Sequence, residues 1–258
     1  MAVRVFSPAP SVRALLLAGV ATLVLSACAT NHPRVADTDF SRATPQQAEQ
    51  TLAQLAAQYK AHPNDKTTVL TYAAALRSSG QAEQSVSVIE AALAAHKSDI
   101  DLKVAYAKAL SSAGRFVQAL NVIQDAIDPA LPDWNALLVE GAILDQSGHN
   151  KDARTVYAQA LTIAPNEAAI EANIGLSFAM ENDLKQAEAH LRKALTMQGV
   201  TSKIRQNLAL VVGLQGRFDE ARALFSTELP PDQVEANMAY IRALLTQQNR
   251  WDLIKGAQ

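Results

Sequence analysis

The side chains able to carry chemistry are few and scattered. The five histidines are His32, His62, His96, His149 and His190, and the single cysteine is Cys28. A metal site needs such ligands gathered at short fixed spacings. None of these histidines pairs with an acidic residue or a cysteine at metal-ligand spacing. There is also no His-Glu-x-x-His, no phosphate-binding glycine loop and no nucleophile elbow. The expectation is a protein without metal or cofactor, with no small-molecule substrate and no catalysis. One thiol excludes an intramolecular disulfide. Formal net charge is −2 over 258 residues. No basic face dominates, so nucleic acid is not an expected partner.

The position of the lone thiol gives it a use. Arg4 and Arg13 form a positive stretch before an uncharged apolar run, Ala14 to Leu25, of twelve residues. A bilayer span takes about 20 apolar residues, so this run has the length of a secretory leader instead. Leu25-Ser26-Ala27-Cys28 then resembles the bacterial lipobox. That resemblance implies thioether lipidation of Cys28, cleavage before it, and acylation of the new amino group. Several acyl chains hold a membrane stably where one is marginal. Ala27-Cys28-Ala29 also fits the Ala-x-Ala rule of ordinary cleavage, which would release a soluble periplasmic protein. Ala29 stands where an Asp tends to retain lipoproteins at the inner membrane, so the expected location is the outer membrane, facing the periplasm of a Gram-negative cell. Residues 1–27 are thus a leader and 28–44 a lipidated tether, polar and interrupted by Pro33.

Beyond the tether the chain keeps a beat. Units start at Lys66, Ile100, Trp134, Ala168 and Ser202, 34 residues apart without insertion. Each start follows a residue suited to cap a helix: Asp65, Asp99, Asp133, Glu167 and Thr201. The eighth residue of each unit is small: Ala73, Ala107, Gly141, Gly175 or Ala209. So is the twentieth: Ser85, Ala119, Ala153, Ala187 or Ala221. Small side chains at these two places let two helices approach closely, and larger ones would overpack the contact. Gly80, Gly114, Gly148, Asn182 and Gly216 sit between the helices, where a left-handed residue favours Gly and then Asn.

A helix-turn-helix unit of 34 residues resembles the tetratricopeptide (TPR) repeat. The resemblance implies an all-α TPR solenoid, a right-handed superhelix. It would hold five full units (66–99, 100–133, 134–167, 168–201 and 202–229), a capping helix over 45–65 and a C-terminal capping helix and tail over 230–258. The last helix is expected over about 233–245, with Ala236, Ala239, Tyr240, Ala243 and Leu244 on its buried face.

First helices of such repeats line a groove. Its sixth positions here are Thr71, Ala105, Val139, Asn173 and Asn207. In many TPR proteins an Asn at this place bonds the backbone of an extended peptide. Asn173 and Asn207 are therefore candidate peptide contacts, with Lys203 and Arg205 adding charge. The other reading, that these asparagines merely solvate the groove, fits the spacing equally.

The segment Ile204–Ala221 (Ile-Arg-Gln-Asn-Leu-Ala-Leu-Val-Val-Gly-Leu-Gln-Gly-Arg-Phe-Asp-Glu-Ala), with Leu229–Leu245 behind it, resembles the Tad (tight adherence, Flp pilus) assembly lipoprotein of the D type. This resemblance implies a pilotin-like factor whose partner is a secretin or another pilus-assembly component. The rival expectations are a TPR lipoprotein that adapts cell-wall hydrolases or aids envelope assembly, and a soluble periplasmic chaperone if Cys28 is not lipidated.

Overall fold

The computed structural model describes residues 45–256, with side chains from 46 to 247. The leader, the lipobox residues Leu25, Ser26, Ala27 and Cys28, and the tether lie outside the described residues. Among the described residues all regular elements are helices, and only one isolated β-bridge occurs. None of these helices is long and apolar enough to cross a membrane.

A capping helix, α1 (Pro45–Ala61), precedes the array. The first helices of the five units are α2 (Lys66–Ser78), α4 (Ile100–Ser112), α6 (Trp134–Gln146), α8 (Ala168–Met180) and α10 (Ser202–Leu214). The second helices are α3 (Ala82–Ala95), α5 (Phe116–Ala126), α7 (Asn150–Ile163), α9 (Leu184–Ala194) and α11 (Phe218–Ser226), and α12 (Pro231–Gly256) closes the stack. The fold is an all-α TPR solenoid.

The turns show why the sequence folds this way. Residues 80, 114, 148, 182 and 216 all have positive φ, and Asn182, at 63°, is the non-glycine among them. A left-handed residue after the first helix lets the chain reverse while backbone N–H groups still reach the last helical carbonyls. The small positions then bring each helix pair together. Ala73, Ala107 and Ala209 are buried, as are Ala119, Ala153, Ala187 and Ala221 opposite them. Ser85 fills the same place in the first unit, and its hydroxyl donates to the Ala73 carbonyl oxygen at 2.8 Å. A Cβ added at Gly141 would run into the Tyr157 ring, and one at Gly175 would stand 3.0 Å from the Ala187 carbonyl oxygen. These helix pairs pack backbone to side chain.

Helix starts divide into two kinds. Asp65, Asp99 and Asp133 each accept a backbone N–H, from Thr68, Leu102 and Asn135 at 2.7, 3.1 and 2.6 Å. Thr201 and Glu167 make no such side-chain bond. This corrects the expectation for Thr201, whose buried hydroxyl has no partner. At Glu167 the tertiary backbone takes over. Residues 167 and 198 form a parallel bridge, in which the Ala168 N–H donates to the Gln198 carbonyl at 2.9 Å and the Gln198 N–H to the Asn166 carbonyl at 3.0 Å.

The C-terminal helix also differs from expectation. It starts at Pro231, where a missing N–H costs nothing, and meets no breaker before Gly256. Its buried face is Val234, Met238, Ile241 and Leu244, whereas Ala236, Ala239, Tyr240 and Ala243 are exposed or half-buried. Rotating the larger side chains inward removes more apolar area from water than burying alanines, and each such side chain contributes about 1.5–3 kcal/mol. Val234, Met238 and Ile241 join Ile204, Leu208 and Phe225 in one cluster. At the other end, Tyr59 of α1 stacks on Tyr72 of α2, their ring centroids 5.3 Å apart.

Candidate functional site: the groove of repeats three to five

Helix α8 has three faces. Ala168 and Ala172 pack toward α9 and α10, in the cluster of Leu191 and Ile204. Ile170 and Ile174 pack toward α6 and α7, in the cluster of Leu137 and Tyr157. The remaining face carries Asn173, Leu176 and Met180, at helical spacings of three and four. Leu176, Met180 and Ala142 of α6 form a small cluster of their own. By register the same row runs through Val139 and Ala142 on α6 and through Asn207 and Leu210 on α10. This is the groove floor.

Most of the row is closed to solvent, with Met180 half-buried at its end. Leu176 and Asn173 are each 1% exposed and Asn207 is 0% exposed. In the first two repeats the sixth positions, Thr71 and Ala105, are half-buried. The Thr71 hydroxyl donates to its own helix at the Thr67 carbonyl oxygen, 2.8 Å away.

The candidate contacts divide. The Asn173 amide nitrogen donates to the Ala169 carbonyl oxygen at 2.8 Å, so one end of that amide is already used. Its Oδ1 has no partner, and neither Oδ1 nor Nδ2 of Asn207 has one. A buried polar group left without a bond costs about 1–3 kcal/mol. Arg205 points away from this task and pairs with Glu228 of the same unit. Lys203 is likewise engaged. Thus the two asparagines stand in the row, and the two cations are held by intramolecular contacts.

Sequence reading missed a polar lattice at one end of the row. The Asp145 carboxylate, 1% exposed, accepts from Asn150 Nδ2 at 2.8 Å, Tyr157 Oη at 2.9 Å and Ser177 Oγ at 2.7 Å. Burial pushes its pKa up to about 6, against the pull of those three donors and of the Arg154 charge. Arg154 bonds Ser177 Oγ at 3.1 Å, pairs with Glu181 at 2.7 Å and lies over the Phe178 ring, 4.4 Å from its centroid. The other neighbour of Phe178 is His190, stacked with centroids 5.2 Å apart. His190 Nδ1 is 2.7 Å from Oε1 of the fully buried Glu171, and Lys193 reaches the same oxygen at 3.1 Å. Burial alone would raise the Glu171 pKa, but these two partners hold it below its usual value. His190 is thus paired with an acid nineteen residues away. The available clue was the combination of an acid at the twelfth position of unit three with a tyrosine at the twenty-fourth. The other units carry Arg77, Ser111, Ala179 or Gly213 against Ile89, Ile123, Leu191 or Phe225.

Among the described residues no group of three or more His, Cys, Asp or Glu side chains gathers to hold a metal. The arrangement combines buried apolar side chains, amide atoms without partners and a buried ionic lattice.

Comparison with known proteins bears on the fold. No family model matches the chain. No curated protein matches it either. Solved structures share its fold. A TPR protein from Parabacteroides merdae ATCC 43184 superposes with a TM-score of 0.62 at 13% identity, over 78% of this chain and 77% of that one. A thermophilic TPR protein of Thermus thermophilus, TTC0263, gives 0.57 at 20% identity, over 76% and 99%. PilW, a widely conserved type IV pilus biogenesis factor, gives 0.53 at 17% identity, over 79% and 91%. At these identities the likeness is one of fold.

Proposed function

We propose that this protein is an outer-membrane lipoprotein, anchored through lipid on Cys28, whose repeats hold a protein partner during Tad/Flp pilus assembly. In this reading it is a pilotin-like factor and the partner is a secretin. The observation that supports the binding role is the row of α6, α8 and α10, largely apolar and carrying amide atoms without partners. The lipobox and the likeness of Ile204–Leu245 to Tad lipoproteins supply the location and the pathway. The fold shared with a type IV pilus biogenesis factor is compatible with them.

The parts act in sequence. Lipid on Cys28 holds the chain to the membrane. The sixteen residues from Ala29 to Thr44 reach at most about 55 Å when extended and about 20–25 Å on average as a coil. The repeats then capture the partner by laying a segment along the first helices. Replacing Cys28 with Ala, or deleting the protein, is expected to lower the amount of secretin multimer and of surface pili. Normal piliation in either strain would overturn the reading.

One observation favours a second reading. Ala27-Cys28-Ala29 also suits ordinary cleavage, which would leave a soluble periplasmic chaperone. Palmitate labelling with membrane fractionation separates the two. A TPR adaptor for cell-wall hydrolases would show itself as altered cell shape on deletion, with pili intact.

A further inference from the structure

Repeat two, residues 100–133, is set apart by its surface. Among the described residues five large apolar side chains are exposed, and three of them lie here: Ile100 at 52%, Val117 at 75% and Leu131 at 81%. Apolar residues scattered singly on a surface need no explanation. These three accompany an open hollow of about 390 Å³ on the same repeat. Helix α4 supplies Lys103 and Tyr106 to it, α5 supplies Val122 and Asp125, and the end of repeat one supplies Leu93 and Lys97. Leu93, Tyr106 and Val122 are half-buried and give the hollow apolar walls. The walls are fixed from within, because the Tyr106 hydroxyl donates to Glu90 and Lys103 pairs with Asp125 at 2.5 Å.

The loop after α5 is built as a knob. It reads Asp128-Pro129-Ala130-Leu131-Pro132-Asp133, and two prolines restrict it. The Leu131 N–H donates to the Asp128 carbonyl oxygen at 3.2 Å, and the Ala130 N–H to Asp128 Oδ1 at 2.8 Å. Leu131 is thus held out on a closed turn between two carboxylates. A side chain presented rigidly loses less freedom when it binds. The repeat does not require a leucine here, since the matching residues of repeats one, three and four are Lys97, Pro165 and Gly199. The same match puts Lys97 of the hollow and Leu131 of the knob on one edge of the stack, one repeat apart.

The knob and the hollow fit each other chemically. Apolar walls rimmed by lysines suit an apolar side chain flanked by acids, and Asp128 and Asp133 flank Leu131. Leu131 is too exposed to be filling the hollow of its own chain. A second copy supplies both halves at once, because a two-fold contact pairs each knob with the other copy's hollow. We propose that repeat two is a self-association surface, in which Leu131 of each copy enters the hollow between α3, α4 and α5 of the other. Asp128 then faces Lys97 of the second copy. This goes beyond the proposed function and does not depend on it.

The test uses the full chain with Cys28→Ala, which removes the only thiol, in detergent at several micelles per chain. Two differently tagged forms are mixed, one with Ala130→Cys beside the knob and one with Asn121→Cys at the hollow, both exposed positions. Under mild oxidation they are expected to form a mixed disulfide dimer about tenfold faster than Ala130→Cys with Thr155→Cys, since docking raises the effective concentration. Thr155 is exposed at the place in repeat three that Asn121 holds in repeat two. Adding Leu131→Asp to the Ala130→Cys form should remove the advantage, whereas Ile163→Asp, at another exposed apolar residue, should leave it. Circular dichroism checks that both keep their helices. Equal rates for the two pairs overturn the proposal, and so does an advantage that survives Leu131→Asp. Equal rates together with weaker secretin capture by the Leu131→Asp protein would give this surface to that partner and not to a second copy. Self-association is measured without secretin, so either idea can fail without the other.

Discussion

Helices α2 and α8 hold the same place in their repeats, yet α2 buries four residues and α8 buries ten in one unbroken run from Ala168 to Ser177. Both have thirteen residues, a small eighth position and a left-handed turn behind them. The repeat pattern therefore accounts for what they share, the packing of a first helix on its second. What differs is the outward row. In the first repeats it carries hydroxyls, alanine and Lys108, partly wet, with the Thr71 hydroxyl satisfied within its own helix. In the later repeats it is leucine, half-buried methionine and amide, mostly dry and partly unsatisfied. A single scaffold thus contains a half whose outward row is partly exposed and a half whose outward row is mostly buried.

The largest effect separating the halves should come from Asp145. Its folded pKa, about 6, lies above the ordinary value of 3.8. The folded state therefore binds the proton more tightly than the unfolded state. The stability this adds is fully present below about pH 4 and is lost as pH rises through about 6. Two units correspond to about 3 kcal/mol. Urea midpoints of the wild type, minus those of Asp145→Asn, should fall between pH 4 and pH 7.5, and a flat difference would remove the buried carboxylate from the account. Next in size is Gly141→Ala, whose new Cβ would enter the Tyr157 ring. It should cost about 1–3 kcal/mol in the same assay, as overpacking does. A smaller contrast concerns the caps. Asp99→Ala should lose about 1 kcal/mol, because its carboxylate holds the Leu102 N–H. Thr201→Ala should lose much less, because its hydroxyl caps nothing. If the two lose equally, the division of helix starts is wrong. The smallest effect is expected on the outer surface of the later half. There Arg217 holds the Glu188 carboxyl down to about 2, aided by Gln215 and Arg192. A double-mutant cycle on Glu188 and Arg217 should give a coupling of about 0.5 kcal/mol, since exposed pairs are weak.

Much of the fold could be read in the sequence because a repeat shows its periodic constraints several times. Gly80, Gly114, Gly148 and Gly216 mark the same turn, so Asn182 can be recognised by position alone. The capping aspartates follow the same logic. Specific side-chain contacts between helices are hidden from this kind of reading. Ser177 reaches Asp145 across 32 residues, and His190 reaches Glu171 across the turn between helices. Both depend on which faces oppose each other, and a period does not specify that. The face of α12 departs from expectation for a related reason. A run of alanines has a clear helical spacing, but Val234, Met238 and Ile241 have the larger area to hide. The candidate amides Asn173 and Asn207 are visible as a pair one repeat apart, whereas their dryness and their unequal bonding are not.

The backbone bridge between residues 167 and 198 has a mechanical consequence. It ties the junction before repeat four to the junction after it by two main-chain hydrogen bonds, and no second bridge of this kind joins neighbouring units among the described residues. In a one-dimensional stack each unit can peel from its neighbour. A tie of this kind makes repeat four a staple. Pulled from both ends, the array is expected to unzip from the α1 end first, with repeats four and five yielding last and together.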